Sequence, residues 1–243
     1  MRAFRYEQAV VIRIAAADIG TGARTVLTQI AAEALGVPPG QVRVELGDSD
    51  LPRAWLAGGS MGTASWGSAV VKACEDLLKS SSGEGSADTA DVAADQDWAR
   101  HSFGAQFAEV RVDAVTGEVR VPRLLGVFAA GRVIDPALAR SQFIGGMTMG
   151  LGMALMEQTG VDQAQGGFVR RDLAQYHIAT CADVQDVDAV WIDEQDPHLN
   201  PMGAKGIGEI GITGTAAAIG NAVYHATGRR VRDLPITPAK LLE

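Results

Sequence analysis

Residues 9–17 (AVVIRIAAA) form a short apolar run, β-branched in its first half, that ends at Asp18-Ile19-Gly20-Thr21-Gly22. This pattern predicts a strand entering a glycine-rich turn. In residues 24–35, Val26, Leu27, Ile30, Ala31 and Ala34 recur at helical spacing, and Gly36 supplies a C-terminal stop. Residues 41–46 alternate polar and apolar, as a half-buried strand does. A loop over residues 47–62, with Gly58-Gly59-Ser60 inside it, precedes a helix over residues 63–78. The first part therefore reads strand, helix, strand, helix.

Residues 80–97 (SSSGEGSADTADVAADQD) are rich in Ser, Gly and Asp and read as a solvated acidic linker. Beyond them, residues 105–112 and 118–127 flank Asp113-Ala114-Val115-Thr116-Gly117, a hairpin signal. Residues 142–157 carry Gly145, Gly146, Gly150 and Gly152 among methionines and leucines, too much glycine for a helix by propensity; tight packing on another element would explain it. Residues 160–168 read as a turn and residues 189–192 as a short strand. Thr213 or Thr215 is positioned to cap a last helix over residues 216–227, which Gly228 ends. The resulting expectation is an α+β protein of two α/β lobes with mixed sheets and packed helices, residues 1–79 and 98–243, joined by the acidic linker at 80–97.

At 243 residues, 47% hydrophobic and 21% charged, the chain has ordinary globular composition and can bury a sizeable core. A net charge of −8 without a Lys/Arg stripe argues against nucleic acid as a partner. Glu84, Asp88, Asp91, Asp95 and Asp97 fall in one base-free stretch, so much of that charge is local. Two cysteines, Cys74 and Cys181, exclude a disulfide framework and an iron–sulfur cluster held by this chain alone. The four histidines have no ligand spacing, so a metal here must be carried by a cofactor. With no leader pattern and no apolar run of about 18 residues, a membrane partner is not expected, and a cytoplasmic location is the default.

The most informative stretch is Lys205-Gly206-Ile207-Gly208-Glu209-Ile210-Gly211. Glu209 is the only acid between Asp196 and Asp233 and sits among small and apolar neighbours. Poor solvation there would suit a carboxylate to work as a base; the alternative is an ordinary loop whose acid points at water. The stretch formally matches G-x-G-x-x-G. It lacks the strand directly before it that a dinucleotide-binding turn requires. Three glycine clusters, at residues 18–22, 58–63 and 205–213, each precede a predicted helix. Free N–H groups at such positions suit phosphate or pterin oxygens, although any one cluster taken singly reads as a plain turn.

These residues resemble the xanthine dehydrogenase/aldehyde oxidase family, in its large, molybdenum-cofactor-binding subunit. The likeness runs in order through residues 18–28 (DIGTGARTVLT), 46–52 (LGDSDLP), 58–60 (GGS), 101–110 (HSFGAQFAEV), 139–142 (ARSQ), 196–201 (DPHLNP) and 203–209 (GAKGIGE). It is nearest the bacterial aldehyde-oxidising branch, whose molybdopterin commonly carries a cytosine nucleotide.

The resemblance implies that the pterin, not the protein, ligates molybdenum, and that Glu209 is the catalytic base. It implies cofactor contacts from Gly20, Thr21, Gly22, Ser60, Gly62, Thr63, Arg132, Val133, Ile134, Asp135, Pro136, Ala137, Leu138, Gln142, Lys205, Gly206, Ile207 and Gly208. Thr21 stands where xanthine-oxidising relatives have glutamine, which disfavours a purine. The family's large subunit is much longer, so the expected partners are the rest of that subunit, iron–sulfur and FAD subunits, and a small aldehyde or heterocycle. The second expectation is non-enzymatic: a truncated remnant or binding module that keeps the fold without holding molybdenum.

Overall fold

A computed structural model describes residues 1–6, 9–92 and 98–242. The chain divides into two compact units. One comprises Met1–Ser102, Ala129–Ala139 and Ile192–Gly208; the other comprises Phe103–Phe128, Arg140–Trp191 and Glu209–Glu243. The first unit thus takes in two later segments that the sequence reading gave to the second lobe.

The first unit is built on a mixed four-stranded sheet. Its strands are β1 (Arg2–Tyr6), β2 (Ala9–Ile14), β3 (Val42–Leu46) and β4 (Glu84–Ser86), in the order β3-β2-β1-β4. β1 is antiparallel to both β2 and β4; β2 is parallel to β3, with Ile12 opposite Val44. That parallel pair needs a crossover, supplied by helix α1 (Ala23–Leu35), which ends on Gly36 in the left-handed conformation. Val10, Ile12 and Ile14 alternate into the core against Leu27, Ile30 and Val70. Helix α2 (Gly62–Lys79) contributes Trp66, Ala69, Ala73 and Leu77 to the same core.

β1 was not foreseen, and the acidic linker is corrected in part. Within residues 80–97, β4 extends the sheet and Thr89–Val92 forms a short 3-10 turn, while residues 93–97 lie outside the described residues. The reason is steric and invisible to composition. A β-carbon built on Gly85 would lie 2.2 Å from the Ala73 carbonyl oxygen and 2.4 Å from the Leu77 nitrogen, so only glycine lets β4 lie on α2.

The second unit carries the strands β5 (Phe103–Val112), β6 (Val119–Ala129) and β7 (Asp186–Trp191), in that order, with β6 and β7 parallel. The hairpin turn before β6 forms as expected: Asp113 Oδ1 accepts the N–H groups of Val115 at 2.9 Å and Thr116 at 2.7 Å. The glycine-rich stretch is helical after all, as α3 (Pro136–Leu155). Asp135 caps it by accepting the Leu138 N–H, and Pro136 fills the first turn. In this unit two of the α3 glycines, Gly146 and Gly150, serve close packing. A β-carbon on Gly146 would fall 2.9 Å from the Gly211 backbone, and one on Gly150 would fall 2.5 Å from Thr215. Phe143 of α3 stacks on Phe128 at 4.2 Å between ring centroids.

The end of the chain forms α4 (Ile210–Thr213), α5 (Thr215–Thr227) and α6 (Pro238–Leu242). Neither threonine caps α5, whose N-cap is Gly214. Instead the Thr215 hydroxyl donates to Gln106 at 2.6 Å, and the Thr213 hydroxyl bonds back to Ile210.

Two predictions follow from these contacts. Gly85→Ala is expected to lower the unfolding free energy by about 1–3 kcal/mol in urea denaturation. Gly40→Ala, where a β-carbon meets nothing within 4 Å, is expected to leave it within about 0.5 kcal/mol; equal effects would contradict the β4–α2 contact. Asp113 is held below the usual carboxylate range, first by the Thr116 N–H and then by Val115. Its folded value is depressed, so its stabilisation is present above the unfolded value and is lost as pH falls through the folded one. The urea midpoints of the parent and Asp113→Ala should therefore differ at neutral pH and converge below about pH 4; a constant gap would contradict this.

Candidate functional site

Four sequence-distant segments of the first unit meet edge to edge. Gly20, Thr21 and Gly22 form the turn into α1, and Gly20 and Gly22 both have left-handed backbones (φ 90° and 78°). A β-carbon on Gly22 would lie 2.6 Å from Leu138, so the turn packs on the end of the segment running from Arg132 through Val133, Ile134, Asp135, Pro136 and Ala137 to Leu138. That segment is tied to α1 at two further points. Gln29 donates to Asp135 Oδ2 at 2.9 Å, and Arg132 makes a two-pronged ion pair with Glu33 at 2.8 and 2.6 Å. The guanidinium keeps the Glu33 carboxyl below its ordinary range, and hydrogen bonds from Leu138 N and Gln29 do the same for Asp135.

The next contact is a backbone bridge between Gly131 and Ala204. Arg132 N donates to Gly203 O at 2.7 Å, and Lys205 N donates to Ala130 O at 3.0 Å. From there Lys205, Gly206, Ile207 and Gly208 run onto the fourth segment. A β-carbon on Gly206 would lie 2.4 Å from the Ser60 carbonyl oxygen, and one on Gly208 would lie 3.0 Å from Ser60 Oγ. The Ser102 hydroxyl donates to Gly206 O at 2.6 Å. No strand leads into Gly206, which keeps the dinucleotide-turn reading excluded.

Ser60 is the residue that stands out. It is the one non-glycine residue with positive φ (58°) among the described residues, a conformation that costs a serine about 1–3 kcal/mol. Its Oγ is buried and has no hydrogen-bond partner. Gly62 and Thr63 follow at the start of α2, half-buried and exposed respectively, and neither α1 nor α2 has a side-chain cap. First-turn N–H groups left without caps, glycines that clear the backbone and an orphan hydroxyl form a donor set suited to a large anionic ligand.

Lys205, expected among the cofactor contacts, has its side chain turned into the protein. Its side chain is 7% exposed, and its ammonium is paired with Glu194. Glu194, which no sequence pattern flagged, also accepts the Gly131 N–H at 3.0 Å, and the Lys205 contact keeps its carboxyl below the usual range. Among the described residues no group of three His, Cys, Asp or Glu side chains forms a metal site, and no helix is long and apolar enough to cross a membrane.

Gln142 and Glu209 belong to the second unit. Gln142, half-buried, precedes Phe143, whose carbonyl oxygen lies 2.8 Å from where a β-carbon of Gly211 would stand. Glu209 is the N-cap residue of α4. Gln106, unflagged as a positioning group, seats that helix by donating to Gly211 O at 2.9 Å and Ile210 O at 3.3 Å. The expectation of a poorly solvated carboxylate is corrected: Glu209 is exposed. Its glycine neighbours, chosen for backbone proximity, have no side chains with which to cover it.

Comparison with known proteins identifies the family. The molybdopterin cofactor-binding domain family matches residues 5–97 and 79–185. The chain is 43% identical over 260 residues to the aldehyde oxidoreductase molybdenum-binding subunit PaoC of Escherichia coli K12, covering 93% of this chain and 36% of that protein. It is 31% identical over 277 residues to the probable hypoxanthine oxidase XdhD of the same organism, covering 96% of this chain and 29% of that protein. The aldehyde oxidoreductase of Desulfovibrio desulfuricans superposes with a TM-score of 0.83 at 27% identity, over 99% of this chain and 30% of that one. A Cu,Mo-CO dehydrogenase, at 20% identity and a TM-score of 0.83, shares the fold over 99% of this chain and 36% of its own. The chain thus spans about a third of the length of the curated relatives it matches. Family match, identity along the chain and fold coincide: the chain belongs to the molybdopterin cofactor-binding domains of the xanthine dehydrogenase/aldehyde oxidase large subunits, on their bacterial branch.

Proposed function

We propose that this chain is the cofactor-binding part of a molybdenum hydroxylase that oxidises aldehydes or related compounds, completed by the rest of a large subunit and by iron–sulfur and FAD chains. The observation that carries the reading is the convergence of Gly20–Gly22, Ser60, the Arg132–Leu138 segment and Lys205–Gly208 in one unit, with an unpartnered Ser60 hydroxyl among them. The match to the molybdopterin-binding family and the identity to an aldehyde oxidoreductase subunit support it. The cofactor form that goes with this reading is the cytosine dinucleotide of molybdopterin, as the family resemblance implies, and the compartment is cytoplasmic.

The bound cofactor supplies the two-electron redox chemistry, and the polypeptide supplies position, electrostatics and proton handling. Backbone N–H groups at the uncapped starts of α1 and α2, with Ser60 Oγ, bind the anionic and pterin oxygens. Gly206 and Gly208 let the backbone of their loop pass Ser60 at contact distance, which keeps this edge narrow. Gln142 contributes a further amide. Glu209, the N-cap residue of the short helix whose Ile210 and Gly211 carbonyls Gln106 holds, accepts the proton released as substrate is oxidised. In this chain that carboxylate is exposed. Exclusion of water from it falls to the polypeptide that makes up the remaining length of the relatives.

The same exposure favours a second reading, a non-catalytic remnant or binding module that never carries molybdenum. The two differ in a direct test. In the assembly with its partner chains, Glu209→Gln is expected to reduce turnover by at least about 100-fold while molybdenum and pterin content stay at the parent level. Unchanged turnover would remove Glu209 from the mechanism, and an assembly that never contains molybdenum would establish the second reading.

A further inference from the structure

Glu194 lies outside every glycine cluster, on the chain segment that leads from β7 to the Gly203–Gly208 loop, yet its two carboxylate oxygens serve two different edges of the candidate site. Oε2 accepts the Gly131 N–H at 3.0 Å. Oε1 pairs with the Lys205 ammonium. Gly131 immediately precedes Arg132, where the segment that packs along α1 begins; Lys205 immediately precedes Gly206, where the loop closes on Ser60. The backbone bonds Arg132 N to Gly203 O and Lys205 N to Ala130 O run between the same two segments. Asn200 secures the second of them by donating to Ala204 O at 2.7 Å. The carboxylate is therefore a side-chain clasp across a junction whose backbone pairing is a single bridge.

The Lys205 side chain is 7% exposed and that of Glu194 22% exposed. A pair so withdrawn from water is weakly screened, and loss of one member leaves the other charged and poorly solvated. A lysine in a glycine-rich loop ordinarily offers a mobile point charge to an anionic ligand. Here its charge is already met from within the protein.

We propose that Glu194 is a positioning residue for the cofactor edge: it fixes the Arg132–Leu138 segment against Gly206–Gly208 and turns the Lys205 charge inward, so that backbone N–H groups and Ser60 meet the ligand's anionic oxygens. The role in binding rests on the function proposed above; the clasp itself does not. The two are separated by using one measurement on the chain alone and another on the assembly.

Hydrogen exchange of peptides spanning residues 130–132 and 204–208 reads the clasp. Glu194→Ala, which removes both contacts, is expected to speed exchange there by about tenfold or more. Glu194→Gln keeps an acceptor for Gly131 but removes the carboxylate charge that faces the Lys205 ammonium, and should give an intermediate gain. The neutral double variant Glu194→Gln/Lys205→Met should return exchange toward the parent, a rescue that simple loss of packing would not produce. In the partner assembly, molybdenum and pterin content should fall in Glu194→Ala and recover in the double variant. Unchanged exchange in Glu194→Ala would overturn the clasp. If that variant does not fold, failure of the double variant to recover from Glu194→Gln would overturn it equally. Loss of pterin in Lys205→Met with exchange untouched would overturn the inward role of Lys205 by making its ammonium a ligand contact. A pterin-free parent assembly would remove the function proposed above, while the exchange data would still decide the clasp.

Discussion

The first unit's site depends on backbone meeting backbone where no side chain can stand. Gly206 passes so close to the Ser60 carbonyl that a β-carbon would sit 2.4 Å from it, and Gly131 stands in the same relation to Gly203 O. Sterics of this kind cannot be relieved by a rotamer change, because the obstructing atoms are main chain. The approach holds Ser60 in a left-handed conformation and leaves its hydroxyl buried without a partner. Strain and an orphan donor at one residue, two positions before a helix start without a side-chain cap, suit a binding edge.

The second unit uses glycine for a different end. Gly146 and Gly150 of α3 let that helix lie directly on the Gly211–Thr215 segment, and Gln106 from β5 takes up the carbonyl groups of Ile210 and Gly211. The helix that begins at Glu209 is thereby seated by α3 and β5 before any ligand chemistry is considered. Its carboxylate stays in water in this chain. Seating and solvation are thus separable: the chain provides the first, and the second belongs to the proposed larger assembly.

Much of the fold was legible because periodicity and punctuation coincide. α1 runs between Gly22 and Gly36, and the Asp113–Gly117 turn joins β5 to β6, as their residues dictate. The failures share a physical cause. β4 lies in an acidic, serine-rich stretch and is a strand through pairing with β1 over a glycine, a tertiary fact. α3 was misjudged because helix propensity counts glycine as a cost and cannot see the close packing that offsets it. The clusters around Gly20, Ser60 and Gly206 were visible in the sequence, but Glu194 and Gln106 were not. Glu194 is a single polar residue with no motif around it, and Gln106 sits in a matched segment that carries no chemistry of its own; the significance of each lies in which backbone groups it reaches.

The central claim is that these loops form a molybdenum–pterin site when the chain is completed. Metal and pterin analysis tests it most directly, on the chain purified alone and with polypeptide covering the rest of its relatives' length, in the parent and in Gly206→Val. Near-stoichiometric molybdenum and pterin in the completed parent, with loss of both in a folded Gly206→Val variant, is the predicted result. A completed parent free of molybdenum, or a Gly206→Val assembly that retains it in full, would contradict the account.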